Sequence, residues 1–341
     1  MKVAVIGIGL VLHLIAVLLF ARNAQAQCCS DRLGEIRSRG VLNCGVWPEV
    51  PGFSSEHRGS YVGFDIDICH AIAAAIFADA AKVNFVPLEH IEQFKQRDDV
   101  DLVVRRLTWT MSREARANVT FGPIMFYDGQ GFLVPRSRGI TTSAELAAGP
   151  ICVLNKERHP ETLLNFLEDR HRNNKLVLVG NDREAEQALA RDRCEAYSAD
   201  ISWLAAARAG FAQGVAHYVI LPDTVSKEPL APVMRTGDVE FAHWVRWTLF
   251  FIIEAEEVGV TSGNFNSLGP RSIRVRRLLA SSPGKEVAAD AERRTSAILN
   301  SVGNYGEMFE RNLGVDSPLK LDRGLNRLWI NGGLVYAPPL D

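Results

Sequence analysis

Gly63-Phe64-Asp65-Ile66-Asp67-Ile68-Cys69-His70-Ala71-Ile72-Ala73 reads as a glycine turn running straight into a helix. The apolar positions Ile68, Ile72 and Ile76 recur at helical spacing, and the alanines between them let neighbouring elements approach closely. Asp65 stands near the helix start, where the macrodipole favours an anion. Working outward, Leu33 to Arg39 reads as a short amphipathic helix ending at Gly40, and Val41 to Val46 as a buried strand. Pro48, Pro51, Gly52 and Gly59 mark a loop. Beyond the central helix come a strand over Val83 to Leu88, a helix over Glu89 to Arg97 and a strand over Val100 to Val104. This strand–helix alternation predicts an α/β layer with parallel strands.

A second series follows Gly131-Phe132-Leu133-Val134-Pro135. It comprises a short helix over Ser143 to Ala147, a strand over Ile151 to Leu154 and a helix over Pro160 to Asp169. A strand over Lys175 to Val179, a helix over Asp182 to Ala190 and a short strand from Ala196 leading to Asp200 complete it. The two units match in layout without a residue-by-residue repeat. Val239 to Gly259 forms a long helix with Trp244, Trp247, Phe250 and Phe251 on an apolar side, and the rest of the chain is helical or irregular. Two α/β lobes joined by strands leave a cleft at the carboxyl ends of their sheets, where ligands bind and over which such lobes close.

The chain has 341 residues, 47% hydrophobic and 23% charged, with a formal net charge of −2. Its scattered basic residues give no stripe for a polyanion, so no nucleic-acid partner is expected. Lys2, the apolar run Val3 to Phe20 and the small-x-small triplet Ala24-Gln25-Ala26 read as a secretory signal peptide over residues 1–26, cut before Gln27. An uncleaved membrane anchor is the other reading of that run. Export makes Cys44, Cys69, Cys152 and Cys194 disulfide candidates, with Cys28 and Cys29 set apart at the N-terminus, and six cysteines allow fifteen full pairings. No Cys-x-x-Cys or His-x-x-x-His spacing supports a metal site, and no nucleophile elbow, zinc-protease or phosphate-loop motif appears; neither metal nor cofactor is expected.

The segment from Gly63 to Ala73 resembles the signature of the bacterial family-3 extracellular solute-binding proteins. Phe126-Tyr127-Asp128-Gly129-Gln130-Gly131-Phe132, Ser226-Lys227-Glu228-Pro229-Leu230 and Ile253-Glu254-Ala255-Glu256-Glu257 resemble the subgroup serving general (polar) L-amino-acid ABC transporters. Gly303 to Asn312 and Gly324 to Trp329 do so as well. The resemblance implies a type II two-lobed periplasmic binding protein with hinge strands and a helical C-terminal extension. In that division residues 27–135 are the first part of lobe 1, 136–222 lobe 2, and 223–341 the return to lobe 1 plus the extension. It further implies the disulfides Cys44–Cys69 and Cys152–Cys194, one per lobe. The expected partners are a small amino-acid or dicarboxylate-like ligand and an inner-membrane ABC permease, with the receptor periplasmic and monomeric.

By the same resemblance Arg113 grips the ligand carboxylate, Thr108 adds donors, Asp200 receives the ammonium and Phe53 is an aromatic wall. An arginine suits the first task because its planar fork donates two parallel hydrogen bonds. Phe53 is equally an apolar loop anchor, and Asp200 a helix cap. The chain departs from the family at the cleft edges. Asn155-Lys156-Glu157-Arg158-His159 replaces a hydroxyl-rich turn, and Arg106 with Leu107 replaces small polar residues. Cations added beside Arg113 favour a ligand with an extra carboxylate, so Arg106 and Arg158 join the candidate site, together with Asn155 of the substituted turn. Two alternatives are a diverged sensor or partner-binding module and a periplasmic dehydratase of the same fold, for which Glu157 is the new carboxylate near the cleft.

Overall fold

A computed structural model describes residues 31–156, 159–268, 272–281 and 288–340. The expected leader, Glu157 and Arg158 lie outside the described residues. The decisive helix forms over Phe64–Phe77. Gly63 precedes it with φ 135°, and a Cβ there would lie 2.2 Å from the Phe53 carbonyl oxygen, so only glycine fits. The first helical amides are satisfied by the loop below: Phe64 N donates to Gly52 O and Asp65 N to Phe53 O, both at 2.9 Å.

Lobe 1 carries a five-stranded sheet in the order Val83–Pro87, Leu42–Val46, Leu102–Val104, Val233–Arg235, Val119–Phe121. The first three are parallel and Val233–Arg235 runs against both its neighbours. Lobe 2 repeats this plan with Leu176–Val179, Ile151–Leu154, Ala196–Asp200, Gln130–Pro135 and Tyr218–Ile220, again with an antiparallel fourth strand. Each fourth strand follows a hinge strand, Phe126–Asp128 on the way out and Glu228–Leu230 on the way back, and these two pair antiparallel. This is a type II two-lobed α/β fold. Strand alternation splits lobe 2 into two cores: Leu133, Cys152 and Leu154 face one side, while Phe132, Val134, Ile151 and Val153 face the other.

Some elements are shorter than the sequence predicts. The helix expected over Glu89 to Arg97 covers only Glu92–Gln96, because Phe94 alone anchors it in the core. The strand expected from Val100 begins at Leu102. Just before it Asp101 accepts from the Asn43 amide at 2.8 Å and pairs with Arg39, which ties the chain by its side chain.

The C-terminal residues are built onto lobe 1 and the hinge. The helix Ala288–Ser301 packs along Phe64–Phe77, and Arg294 donates to the Ala75 carbonyl near that helix's end. Asn326 pairs with the hinge residue Tyr127 like a strand neighbour, accepting from its N–H at 2.7 Å and donating to its carbonyl at 3.1 Å. The buried Tyr305 hydroxyl donates to Met125 O at 2.9 Å. Lobe 2 is also reached: Arg208 donates to the Lys320 carbonyl at 3.0 Å. Among the described residues no helix is long and apolar enough to cross a membrane.

Both implied disulfides are present. Cys44–Cys69 ties the first strand to the decisive helix, and Cys152–Cys194 ties the strand Ile151–Leu154 to the connection that precedes Ala196–Asp200, over separations of 25 and 42 residues. Loop-closure entropy assigns each about 3–4 kcal/mol. Replacing Cys152 and Cys194 together by alanine is expected to lower unfolding stability by about 2–4 kcal/mol in urea titration, and a loss under 1 kcal/mol would mean that the bridge constrains little.

Candidate functional site

The carboxyl ends of the parallel strands of both sheets meet at one crevice over the hinge. Trp47 follows Leu42–Val46, Arg105 to Thr108 follow Leu102–Val104, and Lys156 follows Ile151–Leu154. Asp200 ends the strand Ala196–Asp200, Trp203 lies on the helix Ile201–Gly210, and Glu228 and Leu230 belong to the returning hinge strand. Arg113 and His159 complete the wall. The cavity they enclose is small, ≈ 60 Å³, room for about two waters.

Arg106 is a cation of this lining with a nearly buried side chain that bridges to other parts of the fold. Its backbone is left-handed, φ 53°, a conformation that asparagine tolerates better than arginine. Its side chain lies across the crevice, 6% exposed, and reaches groups of the hinge and of lobe 2. The guanidinium donates to the Ser202 hydroxyl, lies 3.4 Å from Asp128 Oδ2 and 4.0 Å from Asp200 Oδ2, and stacks 4.9 Å from the Phe53 ring centre.

Two carboxylates, Asp128 and Asp200, face that cation. Asp128 is a direct cross-strand partner of Glu228 in the hinge. Its Oδ1 accepts from the Ser202 amide at 3.2 Å and thereby caps the helix Ile201–Gly210, while the Ser202 hydroxyl donates to its Oδ2. Asp200 occupies the formal cap position but makes no cap bond. It faces His159 Nε2 at 3.0 Å instead. Burial, reinforced by repulsion from Asp200 and Asp128, pushes Glu228 up to about 7, and burial with repulsion from Asp200 also raises Asp128. Burial works to raise Asp200 too, but the bond to His159, the attraction of that ring and of Arg106, and the bond from Glu228 carry it below the ordinary range. Behind Arg106, fully buried Asp65 is pushed up to about 7 by desolvation, against the pull of Arg106 and Arg105.

The opposite wall is cationic and aromatic. Arg113 is half-buried, held by its Nη1 donating to Thr108 O at 2.9 Å, on a short helix capped by Thr110. Thr108 Oγ1 lies 3.4 Å from Glu228. Lys156 Nζ sits 4.6 Å from the Trp47 ring centre and 4.5 Å from that of Trp203, a cation between an indole of each lobe. Arg105 stacks on Trp47 at 4.8 Å.

Of the residues singled out in the sequence, Arg106, Thr108, Arg113 and Asp200 converge on the crevice. Phe53 is 1% exposed and packs edge-on against Phe64 and Phe126, so it is a core anchor that meets the crevice only through the Arg106 guanidinium. Asn155 is exposed and does not line the cavity. Sequence reasoning missed Asp128, Glu228, Ser202, His159, Trp47 and Trp203 as site residues. Asp128 and Glu228 stand within the segments that carry the resemblance, but their pairing is a property of the hinge.

The chain belongs to the bacterial extracellular solute-binding proteins, family 3, whose model matches residues 42–262. It is 39% identical over 317 residues to the glutamate/glutamine/aspartate/asparagine-binding protein BztA of Rhodobacter capsulatus, covering 91% of this chain and 93% of that one. It is 36% identical to the general L-amino acid-binding periplasmic protein AapJ of Rhizobium johnstonii, covering 90% and 92%. A solved ABC transporter periplasmic binding protein from Brucella ovis with glutathione bound is 35% identical, with a TM-score of 0.77 over 92% of this chain and all of that one.

A carboxyl raised in the fold contributes stability that is fully present below its unfolded value and lost as pH rises through the folded one. For Asp65 that window runs from about 4 to about 7. Between pH 5 and pH 8 the wild type is therefore expected to lose about 2–3 kcal/mol more unfolding stability than Asp65→Asn does. Parallel stability curves for the two proteins would show Asp65 to be ionised throughout.

Proposed function

We propose that this chain is the extracytoplasmic receptor of an amino-acid-type ABC transporter, closing its two lobes over a small carboxylate-bearing ligand, zwitterionic or acidic. The observation that carries this reading is the crevice over the hinge, with arginine, lysine and indole on one wall and Asp200 and Glu228 on the other, Asp128 being buried opposite Glu228 in the hinge. Arg113 holds the ligand carboxylate through its planar fork, with Thr108 beside it. Asp200 and Glu228 form the negative wall. Relatives that cover over nine-tenths of the chain, named as binding proteins for amino acids, support the ligand class. The receptor acts in the periplasm after removal of residues 1–26, works as a monomer and delivers to an inner-membrane permease.

Binding without turnover is the expected behaviour, even though Glu228 titrates near neutrality. Prephenate-like substrates should be returned unchanged, and a dehydrated product would instead establish the enzyme reading.

A thermal-shift screen of the exported protein against amino acids and dicarboxylates tests the proposal, since a ligand that binds only the folded state raises the melting temperature. Arg113→Ala is expected to abolish the shift, with an affinity loss of about 100-fold, as when one member of a desolvated charge pair is removed. Unchanged affinity in that variant would remove Arg113 from the site.

A further inference from the structure

The negative wall of the crevice already holds a cation. Asp128 and Glu228 stand directly opposite each other in the hinge, and Asp200 lies within reach of the same guanidinium. Carboxylates packed in this way need a positive charge among them or must take up protons. Arg106 supplies that charge, nearly buried, donating to Ser202 and stacked on Phe53. His159 serves the remaining side of Asp200. Arg106 and His159 thus stand against Asp200 where a ligand ammonium would otherwise approach it.

We infer that Arg106 determines specificity: its guanidinium is a tethered occupant of the carboxylate cage, so the receptor takes small dicarboxylates that lack an ammonium group and rejects zwitterionic amino acids. The inference rests on the receptor reading above. A ligand ammonium has to displace a cation fixed to the same chain, whose effective concentration is on the order of millimolar or higher. The apparent affinity falls by the fraction of molecules in which Arg106 has left the cage. A ligand without an ammonium needs no such exchange. What remains of the lining is suited to it: Arg113, Arg105, Lys156 and the Thr108 hydroxyl are donors to oxygen anions, flanked by the indoles of Trp47 and Trp203.

The structure also indicates what would open the cage. Arg106 holds φ 53°, which asparagine and glycine adopt readily, so truncation there relieves the backbone while removing the plug. Ser202→Ala keeps every charge and removes one hold on the guanidinium.

Isothermal titration and thermal shift at neutral pH would compare the wild type, Arg106→Asn, Arg106→Gly and Ser202→Ala. The probes are succinate, glutarate and 2-oxoglutarate on one side and L-glutamate and L-glutamine on the other. The wild type is expected to bind at least one dicarboxylate and neither amino acid. Both Arg106 variants should gain at least tenfold in affinity for an amino acid, and Ser202→Ala should gain less. Wild-type binding of L-glutamate or L-glutamine as tight as in the Arg106 variants would overturn the inference. If Arg113→Ala abolished that binding, the receptor reading would survive alone. No response from the wild type or any folded variant, with circular dichroism verifying the fold, would overturn both.

Discussion

Two carboxylates set opposite each other across a two-stranded ribbon govern the centre of this molecule. Asp128 and Glu228 are cross-strand partners in the hinge, an arrangement that repels unless a proton or a cation intervenes. The chain uses both remedies. Glu228 is raised to about 7, and Arg106 places its guanidinium beside Asp128 and Asp200. The cation comes from lobe 1, while Ser202 and Asp200 belong to lobe 2, so relieving repulsion in the hinge also draws the lobes together. Charge balance and closure are one interaction here. Truncating a single partner would leave the others buried and uncompensated, which costs more than the pair contributes.

The surrounding fold restricts what can give way when the crevice opens. Each lobe is internally pinned by a disulfide. The outgoing hinge strand is bonded along its outer edge by the Asn326 side chain, and Met125 beside it is held by the Tyr305 hydroxyl. Gly129 follows that strand where a Cβ would lie 2.5 Å from the Ser226 carbonyl oxygen, so the two crossing connections run backbone against backbone. Bending is thereby confined to a few residues next to the ribbon, as expected of a hinge. The contact from Arg208 to Lys320 lies outside the hinge, so the C-terminal residues share in holding lobe 2.

The lobes were legible in the sequence because their signals are local. Strand runs such as Ile151–Leu154 and the helix Asp182–Ala190 fall where periodicity and turn residues put them. The helix at Phe64 was equally clear, but the reason for Gly63 was not, since it depends on the Phe53 carbonyl packed beneath it. The helix expected over Glu89 to Arg97 forms only as Glu92–Gln96 and falls short mainly at its start, since Phe94 is its one buried residue. Asp128 and Glu228 lie 100 positions apart, and nothing in either segment reports that they face each other.

Arg106 shows where a count of charges stops short of a site. The sequence placed extra cations near Arg113, and counting them points to a stronger anion site. Direction changes that conclusion. A left-handed backbone at Arg106 sends its side chain over Phe53 into the carboxylates, so it cancels negative charge on the far wall instead of adding positive charge to the near one. Lys156, also read as an added cation, stays between two indoles on the opposite wall. In the proposed specificity both cations favour an anionic ligand, but by different physics: Lys156 would attract the carboxylate, and Arg106 would deny the ammonium its place. The first effect raises affinity for acids in general, whereas the second separates acids that carry an amine from those that do not.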